Sequence, residues 1–225
     1  HMLLYAASMD GQGAIATRAG KDYAKLSGDT IYEVLTLLRF GRFDEILEVK
    51  KRPEREIAGG LWDAAQGYAY LRTGQLDMAK VYLGRAQKAA TTPKVQFRGH
   101  SARLLVGVVA SLLEGEILRE EKQLDAAIVV LERAVALDDE LEYDEPEPLP
   151  FPARHWLGAA LLEAKRFGDA EAVYRKDLEQ HPHNGWALLG LQQALAGQGR
   201  TDAAVDADLA KSWARADTWT RASRF

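Results

Sequence analysis

The chain has 225 residues, 47% of them apolar and 28% charged, with a formal net charge of -4. This suits a soluble domain with a sizeable core and leaves no surplus of positive charge to drive nucleic-acid binding. Cys is absent, which excludes disulfide scaffolds, thiolate metal sites and Cys nucleophiles.

With 36 Ala and 30 Leu, the strongest helix formers dominate, and an all-α fold is expected. In chain order, residues 3–8, the turn Gly11-Gln12-Gly13 and residues 14–26 read as a first helical hairpin. It begins in mid-helix, as expected of a piece of a longer chain. Residues 2–7 are too short for a signal-peptide core and lack a basic leader, so a cytoplasmic location is favoured. Residues 31–40, the turn Gly41-Arg42-Phe43-Asp44 and residues 45–49 form a shorter second hairpin, closed by Arg52-Pro53. Gly67, Tyr70, Gly74, Leu76, Ala79, Leu83 and Ala86 mark a third, and Gly115, Leu118, Leu124, Ala127, Leu131 and Ala134 a fourth. The stretch 154–184 again reads helix, polar turn, helix. Shifted by 34 residues, Leu161 lands on Leu195, Lys165 on Gly199 and Ala170 on Ala204, which defines a sixth unit over 188–216. The longer steps from Ala79 to Ala127 and from Ala127 to Ala170 predict insertions near 88–101 and 141–149. No run alternates as a strand would, and none is long enough to span a membrane.

At these residues the chain resembles the tetratricopeptide repeat family. The marks are a small residue in the first helix, the Gly-x-hydrophobic-Asp turns Gly41-Arg42-Phe43-Asp44 and Gly74-Gln75-Leu76-Asp77, an Ala early in the second helix, and Pro182. The likeness is strong over 57–90 and 153–216 and weak over 1–53. The family's aromatic anchor in the first helix is mostly missing. The resemblance implies a right-handed α-solenoid of about six hairpins forming a single domain, with blocks 1–140 and 153–225 joined by residues 141–152. Stacked hairpins bury a continuous core and leave a curved surface for binding.

Catalytic motifs are lacking. Gly11-Gln12-Gly13 to Gly20-Lys21 superficially matches a phosphate loop, but Ile15 stands where a Gly is needed and Asp22 replaces the Ser or Thr that holds magnesium. His181-Pro182-His183 is the only local His pair and reads as a turn rather than a metal site. The expectation is therefore a scaffold without catalysis, cofactor or metal, binding a protein or peptide of acidic character. A second reading is a regulatory domain that senses a small molecule in its groove.

If first helices line a concave side, as in the family, the inward positions are Arg39, Tyr68, Arg72, Glu116, Arg119, His155, Trp186 and Gln193. Arg grips carboxylates bidentately, which favours an acidic segment as ligand. The plainer alternative is that Arg39, Arg72 and Arg119 pair with Glu116, Glu120 and Glu163. The Lys and Asn clamp by which some members hold a chaperone's C-terminal carboxylates is not matched, since the one Asn, Asn184, lies in a turn. Trp62, Trp156, Trp186, Trp213 and Trp219 read mainly as packing residues.

Residues 138–147 hold seven acids, followed by alternating prolines from Pro146 to Pro152. Pro at alternate positions forbids helix. The segment is expected to be an ordered strap anchored by Tyr143 and Phe151, with acids that reach the groove arginines.

Overall fold

A computed structural model describes all 225 residues. Its twelve helices pair as six hairpins: α1 (Met2–Met9) with α2 (Gly13–Ser27), α3 (Ile31–Arg39) with α4 (Phe43–Glu48), and α5 (Glu56–Arg72) with α6 (Leu76–Ala90). They continue as α7 (Ala102–Glu120) with α8 (Leu124–Asp139), α9 (Arg154–Glu163) with α10 (Phe167–Gln180), and α11 (Gly185–Gly197) with α12 (Ala203–Ser212). The chain is an all-α helical repeat solenoid, and no helix is long and apolar enough to cross a membrane.

One local device closes all six hairpins. Two residues after the first helix ends, the chain takes a left-handed φ, at Gly11, Gly41, Gly74, Lys122, Lys165 and Gly199. The next N–H then reaches back to a carbonyl five residues earlier, as in Arg42 to Leu37, Gln123 to Leu118 and Arg200 to Leu195, each at 2.9 Å. This is a Schellman cap, which satisfies the last carbonyls of the first helix and turns the chain. The register that puts Lys165 on Gly199 is thus a shared backbone conformation, with φ of 58° and 70°. Four of the six positions are Gly, the residue that adopts it without steric cost.

Small residues set the helix spacing. Ala79 and Ala170 are fully buried, as is Tyr174, whose ring lies flat between two glycines. A Cβ on Gly158 would come within 2.3 Å of that ring, and one on Gly190 within 2.1 Å. First helices also pack on one another, α3 on α5, α5 on α7 and α9 on α11, while α8 hands over to α9. One apolar core of 47 buried residues therefore runs from Leu4 in α1 to Val205 in α12.

Both insertions take a form of their own. The first ends in a small antiparallel hairpin, β1 (Gln96–Phe97) with β2 (His100–Ser101), where the sequence shows no strand pattern. Two residues per strand are too few for alternation to register. The second, from 140 to 153, packs in an extended path. Leu149 and Phe151 enter the core, whereas Tyr143 is 85% exposed and anchors nothing. The acids do not reach the groove arginines. Asp144 pairs with Arg98 at 2.5 Å, and Glu147 binds His181 at 2.9 Å and the Tyr5 hydroxyl at 3.0 Å. Asp138 accepts from the Ala153 N–H at 2.9 Å, and Asp139 grips Arg154 at 2.6 Å through both oxygens.

Candidate functional site

Beyond α12 the chain runs without helix from Trp213 to Phe225 and crosses the faces of the first helices. Its base is pinned to the N-terminal hairpin. Arg215 pairs with Asp10 at 2.9 Å, and the Asp217 carboxylate accepts the Gly13 and Ala14 N–H groups at 2.5 and 3.0 Å. Asp217 thereby caps α2, whose own N-cap residue, Gln12, turns its side chain to Asp10 and gives no capping hydrogen bond.

Residues 221–225 then meet five first helices in turn. Gln193 of α11 donates to the Arg221 carbonyl at 2.8 Å, and Arg39 of α3 to the Ser223 carbonyl at 3.4 Å. The Ser223 hydroxyl donates to the His155 carbonyl of α9 at 2.6 Å and lies 2.8 Å from the Tyr174 hydroxyl. Arg224 pairs with Glu116 of α7 at 2.9 Å, and Tyr68 of α5 donates to the Phe225 main-chain oxygen at 3.0 Å. Five extended residues span about 17 Å. Five helices packed side by side in a flat row would span about 32–40 Å. The segment and the long side chains on both sides of it bridge that difference, so residues 221–225 lie across five of the six first helices.

Six of the eight residues expected at inward positions, Arg39, Tyr68, Glu116, His155, Trp186 and Gln193, contact this segment. Five of them, all but Gln193, are buried rather than open to a ligand, because the chain itself covers them. Phe225 lies against Trp186 with ring centroids 6.0 Å apart, and Trp186 also donates to the Ser8 carbonyl at 2.9 Å, tying α11 to α1. Arg72 and Arg119 remain at a cleft of about 900 Å³ between the helices and the segment. Arg119 pairs with Glu116 at 2.8 Å and Glu163 at 3.1 Å, as the plainer alternative holds for it. Arg72 and Arg221 are exposed and lack ion-pair partners, and Trp219, also at the cleft, is 93% exposed.

Beneath the groove lies a polar network that the sequence does not advertise. Arg39 can only donate, so its contact of 2.9 Å with His155 Nδ1 leaves the His155 proton on Nε2, where it bonds Asp177 at 3.0 Å. Asn184 donates to the same carboxylate at 3.0 Å. His181 joins Asp177 at 3.1 Å to Glu147 at 2.9 Å, so both of its ring nitrogens donate. Burial, aided by Arg39 and opposed by Asp177, pushes His155 down to about 4 and keeps it neutral. Burial also opposes a charge on His181, but its bonds to Asp177 and Glu147 win and lift it to about 10. Burial raises Asp177, yet His155 and His181 outweigh it and hold the group below the usual carboxylate range. The buried His155 is a structural hinge of this network, not an open ligand.

A pH dependence follows. A His whose folded value lies above its unfolded value contributes stability that is complete below about 6.5 and lost as pH rises through about 10. Thermal unfolding followed from pH 7 to 10 should show a falling Tm. The variant His181→Gln should start lower and fall less, and an equal slope in both proteins would remove His181 from the account.

The chain matches the tetratricopeptide repeat family at residues 161–207 and again at 64–92. No curated protein and no solved structure matches it. The two matches fall on the third hairpin and on the last two, whose left-handed caps the other hairpins share. These two stretches are tetratricopeptide repeats.

Proposed function

We propose that the protein is a non-catalytic scaffold that binds an acidic segment of a partner protein in the cleft on its concave face. Tetratricopeptide repeats mediate protein–protein interaction and typically form scaffolds without catalysis. The observation that carries the finer reading is the pair of cations without ion-pair partners at the cleft, Arg221 and Arg72, the latter stacked over Phe43, with Trp219 exposed at the same cleft. A carboxylate there would gain partners without stripping one from an existing ion pair. Seven of the twelve lining residues are charged or polar, which suits an extended peptide better than the apolar enclosure of most small-molecule sites.

Fluorescence anisotropy with labelled nonapeptides that differ only in the number of Asp and Glu residues tests this. Affinity should rise with acid content and fall with salt. Loss of two partly exposed ion pairs at about 0.5–1 kcal/mol each means that Arg72→Ala/Arg221→Ala should weaken binding about tenfold. Affinity independent of acid content would overturn the reading. Arg119→Ala is a poorer test, since it strips a partner from the buried Glu116.

A further inference from the structure

We infer that residues 221–225 are a displaceable occupant of a second peptide site, and that the groove beneath them takes a partner segment presenting a small hydroxyl, a cation and an aromatic in succession. This rests on the concave face being the binding face, but it concerns the covered groove rather than the cationic cleft.

The segment is held as a ligand would be. Groove side chains donate to the main-chain oxygens of residues 221, 223 and 225, along a bent, non-helical stretch. Such bonds hold a backbone of any sequence, while the side chains supply selectivity. Ser223 fits between the His155 carbonyl and the Tyr174 hydroxyl. Arg224 meets the fully buried Glu116, and Phe225 fills the space left by Gly41, where a Cβ would come within 2.8 Å of its ring.

The groove also keeps partners for its charged groups when the occupant leaves, a counter-ion for Glu116 and a neutral acceptor and a ring for Arg39. Glu116 retains Arg119, and Arg39 retains His155 and its stacking over Trp186 at 3.7 Å. The Arg224 to Glu116 pair is close, yet neither Glu116 Oε1 nor Arg224 Nε has an aligned hydrogen-bond partner, and Arg39 Nε has none. Buried donors and acceptors left in that condition favour exchange for an occupant that aligns them. Arg215 and Asp217 pin the base of the segment to α1 and α2, so an exchange between two copies would need both bases within the roughly 26–29 Å that the eight residues beyond them can span, which disfavours a second copy. The occupant that competes is therefore a segment of another protein.

The test uses a labelled nonapeptide with the sequence of residues 217–225, titrated by anisotropy into the full chain and into its Arg224→Ala/Phe225→Ala variant. An attached competitor lowers apparent affinity by the fraction of time that the site is free. The variant should bind the peptide about tenfold more tightly than the parent, and adding Glu116→Gln should reverse the gain. A variant that keeps the parent's circular dichroism and Tm but shows no saturable binding overturns the inference. If the variant fails to fold, hydrogen exchange on the parent decides. Faster exchange at 220–225 than in α5 and α7 supports displacement, and exchange of the segment only with global unfolding overturns it. Dimers of the parent that Phe225→Ala abolishes would assign the exchange to a second copy and likewise overturn it. Binding of acidic peptides without binding of this one leaves the cationic cleft standing and sinks the second site, and the converse result sinks the cleft.

Discussion

Replacing Asp177 by Ala is expected to destabilise the fold by about 3–5 kcal/mol, the usual cost of removing one partner from a buried charge network. The carboxylate is fully buried and accepts from His155, Asn184 and His181. Without it the His181 cation keeps only Glu147, the His155 Nε2–H has no acceptor, and the Asn184 amide loses its carboxylate partner. Asn184 also caps α11 through the Trp186 N–H at 3.1 Å, so the loss would spread into the first helix of the last hairpin. Urea denaturation measures the effect. His181→Gln added to Asp177→Ala should restore part of the stability, because it removes the stranded cation, and a sum of independent losses would argue against a shared network. A cost below about 1 kcal/mol for Asp177→Ala would show that water replaces the carboxylate and that the network contributes little.

Trp186→Ala should cost a similar amount, about 3–5 kcal/mol, for a different reason. The indole is fully buried where α1, α3, α11 and the C-terminal segment converge. It packs on Phe40 and Trp213, lies under Arg39, and donates to Ser8. Removing it empties a cavity that fixed helices on several sides cannot collapse into. It also breaks the tie between the first and last hairpins. Beyond the loss in denaturant midpoint, limited proteolysis should cut the segment 213–225 sooner than in the parent. A variant that loses stability without that early cleavage would make Trp186 a simple core residue.

The repeat architecture was legible because its determinants are local. Gly at four of the six caps, Ala at close helix crossings and the 34-residue register all lie within one or two hairpins, where spacing along the sequence still reports spacing in the fold. The positions read as inward also follow a local rule, one face of each first helix, and six of the eight contact the C-terminal segment. Their burial was not legible. What covers Arg39, Tyr68, Glu116, His155 and Trp186 arrives from residues more than 35 positions away in every case, and most from over 60. The trace left in the sequence was a non-repeating tail with Trp213, Trp219, Phe225 and three arginines, a composition too rich for a frayed end. Asp177 was equally silent. An acid on the second helix of a repeat reads as a solvated charge until the fold brings His155 and His181 to it.

The account holds that partners engage the face lined by the first helices, beside a segment of the chain that already lies there. Hydrogen exchange followed by mass spectrometry, on the full chain with and without the most acidic of the nonapeptides at saturation, tests it most directly. Added protection confined to residues 68–72, 112–119 and 155–163 and to the segment 219–225 is the predicted footprint. Protection on the second helices α6, α8 and α10, with these stretches unchanged, would place the binding surface on the opposite side and contradict the account.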